Sequence, residues 1–225
     1  MDSEWPMIVI STRGGTGRLL AGPGPGMSEA MPGFTPPTSR VRLSFIGAME
    51  EFRAEGRGGA TDDTMLGREI REFGLDWQDP ERFEAYAAHL RDQARDDAPR
   101  RPGYVPSTTL WWVDGDEYLG RLAIRHRLTP RLTELGGHIG YDVKPSARRL
   151  GHATAMLGAA LPVARSLGID PALVTCDESN SGSRRVIEGN GGVLEDKRGS
   201  ELRFWVPTAG RTRGGRTAGL SGPAA

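Results

Sequence analysis

Tyr141-Asp142-Val143-Lys144-Pro145-Ser146-Ala147-Arg148-Arg149-Leu150-Gly151-His152-Ala153-Thr154 is the stretch whose reading decides the fold. It runs as an extended segment, a proline, a loop and the opening of a helix. The spacing Arg148-x-x-Gly151-x-Ala153 puts small residues where a backbone can approach a ligand, and the helix behind aims its unpaired N–H groups at the same point. The loop reads as an anion cradle of the pyrophosphate type. Behind it, Ala153, Leu157, Ala160, Ala164 and Leu167 share one helical face, and Gly168 supplies the stop. Pro162 conflicts with that helix: it removes a hydrogen bond at a cost of ~3 kcal/mol, so a kink or compensating packing is expected there.

Reading toward the C-terminus, Ala172-Leu173-Val174-Thr175-Cys176 is a short buried strand. A helix follows from about Ser183 to Glu188, ended by Gly191-Gly192, and then a hairpin that pairs Val193-Leu194-Glu195 with Leu202 to Val206. Toward the N-terminus, Gly136-Gly137-His138-Ile139-Gly140-Tyr141-Asp142-Val143 reads as a strand interrupted by glycines, which mark a bulge or a close backbone approach. Before it, Thr108 to Val113 and Tyr118 to Arg127 flank Asp114-Gly115-Asp116, a strong hairpin signal. Two helices precede the hairpin. One is capped by Ser44 and carries Phe45, Ile46, Met49 and Phe52; the other opens at Asp79-Pro80 with Phe83, Tyr86, Ala87 and Leu90 as its stripe. The stretch 56–77 reads as a charged, glycine-rich surface loop, and 129–135 as a turn region.

Residues 11–37 are rich in Gly, Pro, Ser and Thr, and 1–37 is expected to be a disordered extension. The Gly- and Arg-rich 208–225 is expected to be a disordered tail, leaving 38–207 as a single domain. Hydrophobic content of 37% suffices for one ordinary core. Basic and acidic residues balance at 29 each, so the whole-chain field advertises neither a nucleic-acid binder nor a trap for acidic substrates. Cys176 is the only cysteine, which excludes an intrachain disulfide and a cysteine-based zinc site. The run Arg13 to Arg18 lacks the Gly-Lys-Ser/Thr end of a P-loop. Asp114, Asp116 and Glu117 read as turn chemistry rather than metal ligands, and no metal is expected. No apolar run reaches membrane-spanning length, the first residues lack the order of a signal peptide, and the cytoplasm is the expected compartment.

The loop spacing resembles that of the GNAT N-acetyltransferase superfamily, Arg/Gln-x-x-Gly-x-Gly/Ala between a strand and a helix. Asn180-x-x-Ser183 is similar to the Asn-x-x-Ala/Ser that opens that family's next helix. Arg125-His126, Gly136 to Tyr141, Thr175-Cys176-Asp177 and Asn190-Gly191-Gly192 look like a bacterial subgroup of acetyltransferases. The resemblance covers about 108–206. It implies an α/β fold with a mixed, mostly antiparallel sheet and helices on both faces, splayed between the strands at 137–144 and 171–176, with acetyl-CoA in the gap as cosubstrate. It also implies cofactor contacts from Tyr141, Asp142 and Val143 through the strand backbone, from Arg148, Arg149, Gly151, His152, Ala153 and Thr154 around the pyrophosphate, and from Asn180 and Ser183 along the pantetheine. The departure is Ile187, where many relatives carry a tyrosine that protonates the leaving thiolate.

Acetyl transfer to an amine needs a held thioester, a donor for the developing oxyanion and a base, since an alkylamine with a pKa near ~10.4 is mostly protonated at neutral pH. A strand N–H near Val143 is the simplest donor. His138 titrates in the right range to be the base, and reads equally as a hydrogen-bonded core histidine. Glu134 and Glu178 lie next to strand ends, as bases or as solvated loop acids. Arg125 and His126 end their strand, where they bind an anionic group on the acceptor or form a polar strand edge. Cys176 reads as a small buried hydrophobe. The expected activity is direct acetyl transfer to a primary amine of a small molecule or peptide. A non-catalytic acyl-CoA sensor on the same fold is the alternative, and a nucleic-acid binder acting through Arg-Gly tails is the least favoured. The sequence leaves a homodimer open.

Overall fold

The computed structural model describes residues 31–209. In chain order the elements are β1 Gly33–Thr35, α1 Arg42–Ala54, α2 Met65–Phe73, α3 Pro80–Asp92, β2 Ser107–Asp114, β3 Glu117–Arg125, α4 Pro130–Glu134, β4 Ile139–Val143, α5 His152–Ser166, β5 Ala172–Asp177, α6 Ser181–Gly189, β6 Val193–Arg198 and β7 Glu201–Val206. The strands form two sheets, ordered β1-β2-β3-β4 and β5-β7-β6, and every ladder is antiparallel. The expected hairpins, 107–125 and 193–206, are both present.

Several expectations need correction. Ser44 does not cap the first helix: α1 already begins at Arg42 after Val41 with no side-chain cap, and the Ser44 hydroxyl instead accepts from Tyr118 N at 2.9 Å. Residues 33–35 are not part of a disordered extension: Phe34 pairs with Trp112 in the sheet and meets its indole edge-on, 4.9 Å between centroids. The stretch 56–77 is not a plain loop, because Thr64 caps α2 through its hydroxyl, which accepts from Gly67 N at 3.1 Å, and Leu66 and Ile70 bury its inner face. In the region 129–135, Thr129 caps a short helix instead of a bare turn. At the other end Thr208 is tied down, its hydroxyl donating to Ile169 O at 2.8 Å and its N–H to Asp170 at 3.1 Å. The remaining expectations for residues 1–30 and 210–225, including the P-loop-like run and the Arg-Gly tail, lie outside the described residues.

Two apolar cores lie on opposite faces of the first sheet. One joins Leu122, Ile124, Ile139 and Val143 to α5 and to Ile187, Val174, Phe204 and Val206. The other centres on Phe45, whose ring meets Trp77, Phe83, Tyr86, Trp111 and Tyr118, all within 5.9 Å between centroids. Alternation along β3 feeds both: Leu122 and Ile124 point to α5, while Arg121 points among the aromatic rings and pairs with Glu69 of α2. Glu69 also accepts from the Tyr86 hydroxyl at 2.6 Å, so this fully buried arginine retains a countercharge. Pro162 sits inside α5 without ending it.

The sheets meet where β4 and β5 begin. His138 N donates to Leu173 O at 2.7 Å, and Leu173 N donates to the His138 ring at Nδ1, 2.9 Å. No ladder continues past this junction. Gly137, at φ 56°, comes so near that a Cβ would lie 2.4 Å from Leu173 O, which only glycine avoids. Gly137→Ala is therefore expected to destabilise the fold by at least ~2 kcal/mol in urea unfolding, combining left-handed strain with a steric clash. Gly199→Ala, at φ 59° with nothing within 4 Å of the added Cβ, is expected to lose only the ~1 kcal/mol of backbone strain.

Candidate active site

The stretch read as an anion cradle opens α5. Gly151 is the N-cap of α5 at φ 87°, no side chain caps the helix, and a Cβ on Gly151 would meet nothing within 4 Å. The N–H groups of His152, Ala153 and Thr154 thus open onto free space with the helix dipole behind them. Arg149, exposed and at φ 64°, turns the chain into this cap. The His152 ring is held from below by Trp112, whose Nε1 donates to Nδ1 at 3.3 Å.

Arg148 does not face the cradle. Its guanidinium forms a two-pronged pair with Glu55 of α1, both contacts at 2.7 Å, and Nε donates to Val143 O at 3.1 Å. Ser146 donates to Glu51 through its N–H at 2.7 Å and its hydroxyl at 2.9 Å. Both contacts fasten the loop to α1. The arginine of the motif is thus a strut, and side-chain positive charge at the cradle falls to Arg149.

Across the gap between β4 and β5, the Tyr141 hydroxyl donates to Ser183 Oγ at 3.2 Å, and burial pushes the phenol up to about 12. Ser183 lies in the first turn of α6, where its N–H donates to the capping Asn180 Oδ1 at 2.9 Å. Tyr141, Asn180 and Ser183 are thereby brought together. Asp142, on the opposite face of β4, accepts from both terminal nitrogens of Arg57 at 3.2 Å. Ile187 is wholly buried beneath α6 and presents no polar group. Cys176 is buried in the same core, and its surroundings push the thiol up to about 11, chiefly by burial.

The three acid–base candidates are not gathered at one point. His138 is spent on the sheet junction: with Nδ1 accepting from Leu173 N–H, the neutral ring carries its proton on Nε2. Burial and then the nearby Arg125 lower its pKa to about 4. Glu134 pairs with Arg198 and Glu178 with Lys197, both at exposed positions. Arg125 lies against the junction, donating to Gly136 O at 2.8 Å and Gly137 O at 3.1 Å. His126 turns away, its Nε2 sharing a hydrogen bond with the Thr108 hydroxyl at 2.9 Å, and burial lowers its pKa. Among the described residues no group of three or more His, Cys, Asp or Glu is placed to hold a metal ion. No helix there is long and apolar enough to cross a membrane.

Residues 62–193 match the model of the acetyltransferase (GNAT) domain. The chain belongs to the GNAT acetyltransferase family. It is accordingly an acyltransferase. No curated protein matches the chain. Among solved structures, the GNAT fold is shared with the ribosomal-protein-S5-alanine acetyltransferase of Vibrio fischeri, at 10% identity over 82% of this chain and 96% of that one, TM-score 0.56. Mycobacterium smegmatis RimJ, solved with a CoA-disulfide, is similar at 17% identity over 78% of this chain and 81% of that one, TM-score 0.54. RimL, a ribosomal L7/L12 α-N-protein acetyltransferase solved with coenzyme A, is similar at 14% identity over 79% and 95%, TM-score 0.51.

The sequence reading did not anticipate Arg57 and Glu69, whose partners are remote in the chain, or the Tyr141–Ser183 bridge. One signal was available: Arg121 and Arg125 lie four apart in an otherwise apolar strand, which places them on one face.

The His138 clasp has a pH signature. Its folded pKa, about 4, lies below the ~6.5 of an unfolded histidine, so the unfolded chain binds the extra proton between these values. The clasp's contribution is complete above pH ~6.5 and is lost as pH falls toward 4, on the order of 3 kcal/mol in all. Chemical denaturation across this window should show that slope in the parent protein. It should be absent in His138→Asn, whose side-chain oxygen accepts from Leu173 N–H without titrating.

Proposed function

We propose that the protein transfers an acetyl group from acetyl-CoA directly to a primary amine. The observation that carries this reading is the uncapped, glycine-opened N-terminus of α5 beside the split between β4 and β5. His152, Ala153 and Thr154 N–H groups with Arg149 hold the pyrophosphate, and Tyr141, Asn180 and Ser183 line the pantetheine path. Bound there, acetyl-CoA supplies the acetyl group as a thioester.

Tyr141 takes the place that Ile187 leaves empty. A phenol near 12 is ~3.5 units weaker as an acid than a thiol at ~8.5, so full proton transfer to the departing sulfur is uphill by ~5 kcal/mol. The Tyr141 O–H therefore swings from Ser183 Oγ to the developing thiolate, the Ser183 hydroxyl then donating to the phenol oxygen, and solvent completes the protonation. His138 fixes the split and serves as no base, since its free nitrogen holds the proton. The amine's proton leaves through water to the exposed carboxylates Glu178 and Glu134, whose surface ion pairs are weak and exchange readily.

Calorimetry with acetyl-CoA tests the cradle: Gly151→Trp is expected to weaken binding at least ~30-fold, and undiminished binding would sink the assignment. Tyr141→Phe is expected to lower kcat by ~10- to 100-fold with the acetyl-CoA KM little changed. If the wild type binds acetyl-CoA yet turns over no amine in a broad panel, the chain is a sensor instead of a catalyst.

A further inference from the structure

Among the described residues Arg125 is a cation without a countercharge. Its guanidinium rests on a floor cleared by glycines: Nη1 donates to the carbonyls of Gly136 and Gly137, and Nη1 and Nη2 lie 3.8 and 3.9 Å from where a Cβ of Gly140 would stand. Any larger residue at 140 would lie against this fork. No carboxylate pairs with Arg125 among the described residues, although the side chain is largely enclosed. Arg121, four residues earlier on the same face, is saturated by Glu69, and Arg57 is saturated by Asp62 and Asp142. Arg68 of α2 adds to the positive field at Arg125. It donates to Asp63 O and lies over the Tyr104 ring at 5.8 Å, likewise with no carboxylate partner. The two unpaired cations thus stand on the α2 side of the sheet. Tyr141 and Ser183 stand on the other side of β4, facing α6.

Arginine stays charged even where burial and like charges lower its pKa, so a largely enclosed fork with no carboxylate partner favours an arriving anion. We propose that Arg125, with Arg68 on the same side of the sheet, binds an oxyanion group of the acceptor, so that the substrate is an amine bearing a carboxylate or phosphate. The inference rests on the acetyltransferase reading and narrows its acceptor class. Arg125 borders the closed end of the split at Gly136 and Gly137, so an acceptor held on the α2 side reaches Tyr141 by passing its amine through the split, as a short substrate or the first residues of a peptide can.

The test measures kcat/KM for matched acceptors differing only in charge: phosphoethanolamine against ethanolamine, β-alanine against β-alaninamide, and Ala-Asp against Ala-Asn at the N-terminus of one peptide. The wild type is expected to favour the charged member of at least one pair by ~10²-fold, and the pair that responds shows whether the oxyanion belongs to a small molecule or a peptide. Arg125→Gln is expected to reduce that ratio at least tenfold. Arg68→Gln, which leaves the glycine carbonyls bonded, is expected to reduce it less. Because the readout is a ratio within one protein, a general loss of activity does not mimic the effect. Turnover of charged and neutral acceptors at equal efficiency, or an unchanged ratio in both variants, overturns the proposal while leaving the acetyltransferase reading intact. A wild type that binds no acetyl-CoA in calorimetry overturns both.

Discussion

The junction of Gly137 and His138 with Leu173 is the constraint on which the rest of the molecule depends. Two hydrogen bonds join the sheets there, one from backbone to backbone and one from the Leu173 backbone to an imidazole. A continuing ladder would close the sheet and leave no gap. The side-chain bond terminates the pairing instead, satisfying Leu173 N–H without committing the next residues of β4 to β5. Buried backbone groups need partners, so a split sheet must end its pairing deliberately, and a histidine kept neutral by burial does this here.

Once the split exists, the two faces of the first sheet acquire separate tasks. On one face α5 crosses between the sheets, bringing its bare N-terminus to the end of β4. Ile187 and Phe204 pack beneath it, and nothing polar is spent there. On the other face, the aromatic cluster around Phe45 pins α1, α2 and α3, and the Arg121–Glu69 pair locks α2 to β3. Arg148 and Ser146 then bolt the cradle loop onto α1, linking the two halves. Removing either partner of the Arg121–Glu69 pair would strand a buried charge, so the helices over the sheet are held by electrostatics as well as by packing.

Local chemistry made much of this legible. Asp114-Gly115, Asp79-Pro80, Gly151 and Gly168 each act within a few residues, and strands, helix starts and the cradle could be read from them. The helix α2 escaped because its apolar stripe is short, with Leu66 and Ile70 inside a charged segment. The strand β1 escaped because Gly33-Phe34-Thr35 has no periodicity and is ordered only by Trp111 to Val113. Within the candidate site, backbone-determined features were visible, whereas side-chain commitments were not. The motif alone could not show that Arg148 is claimed by Glu55 or His138 by Leu173, because both partners come from remote parts of the chain. Equally, the glycines at 136, 137 and 140 announced a close approach without naming Arg125 as one of the groups that approaches.

The burial of Cys176 has a practical consequence. With its thiol pushed up to about 11, only about one part in a thousand to ten thousand is thiolate between pH 7 and 8, and the sulfur is enclosed by the core. It is also the chain's single cysteine. A colorimetric disulfide reagent added to the working protein would therefore count sulfhydryls liberated into solution, with little background from the protein itself, and acceptor panels could be read continuously by absorbance.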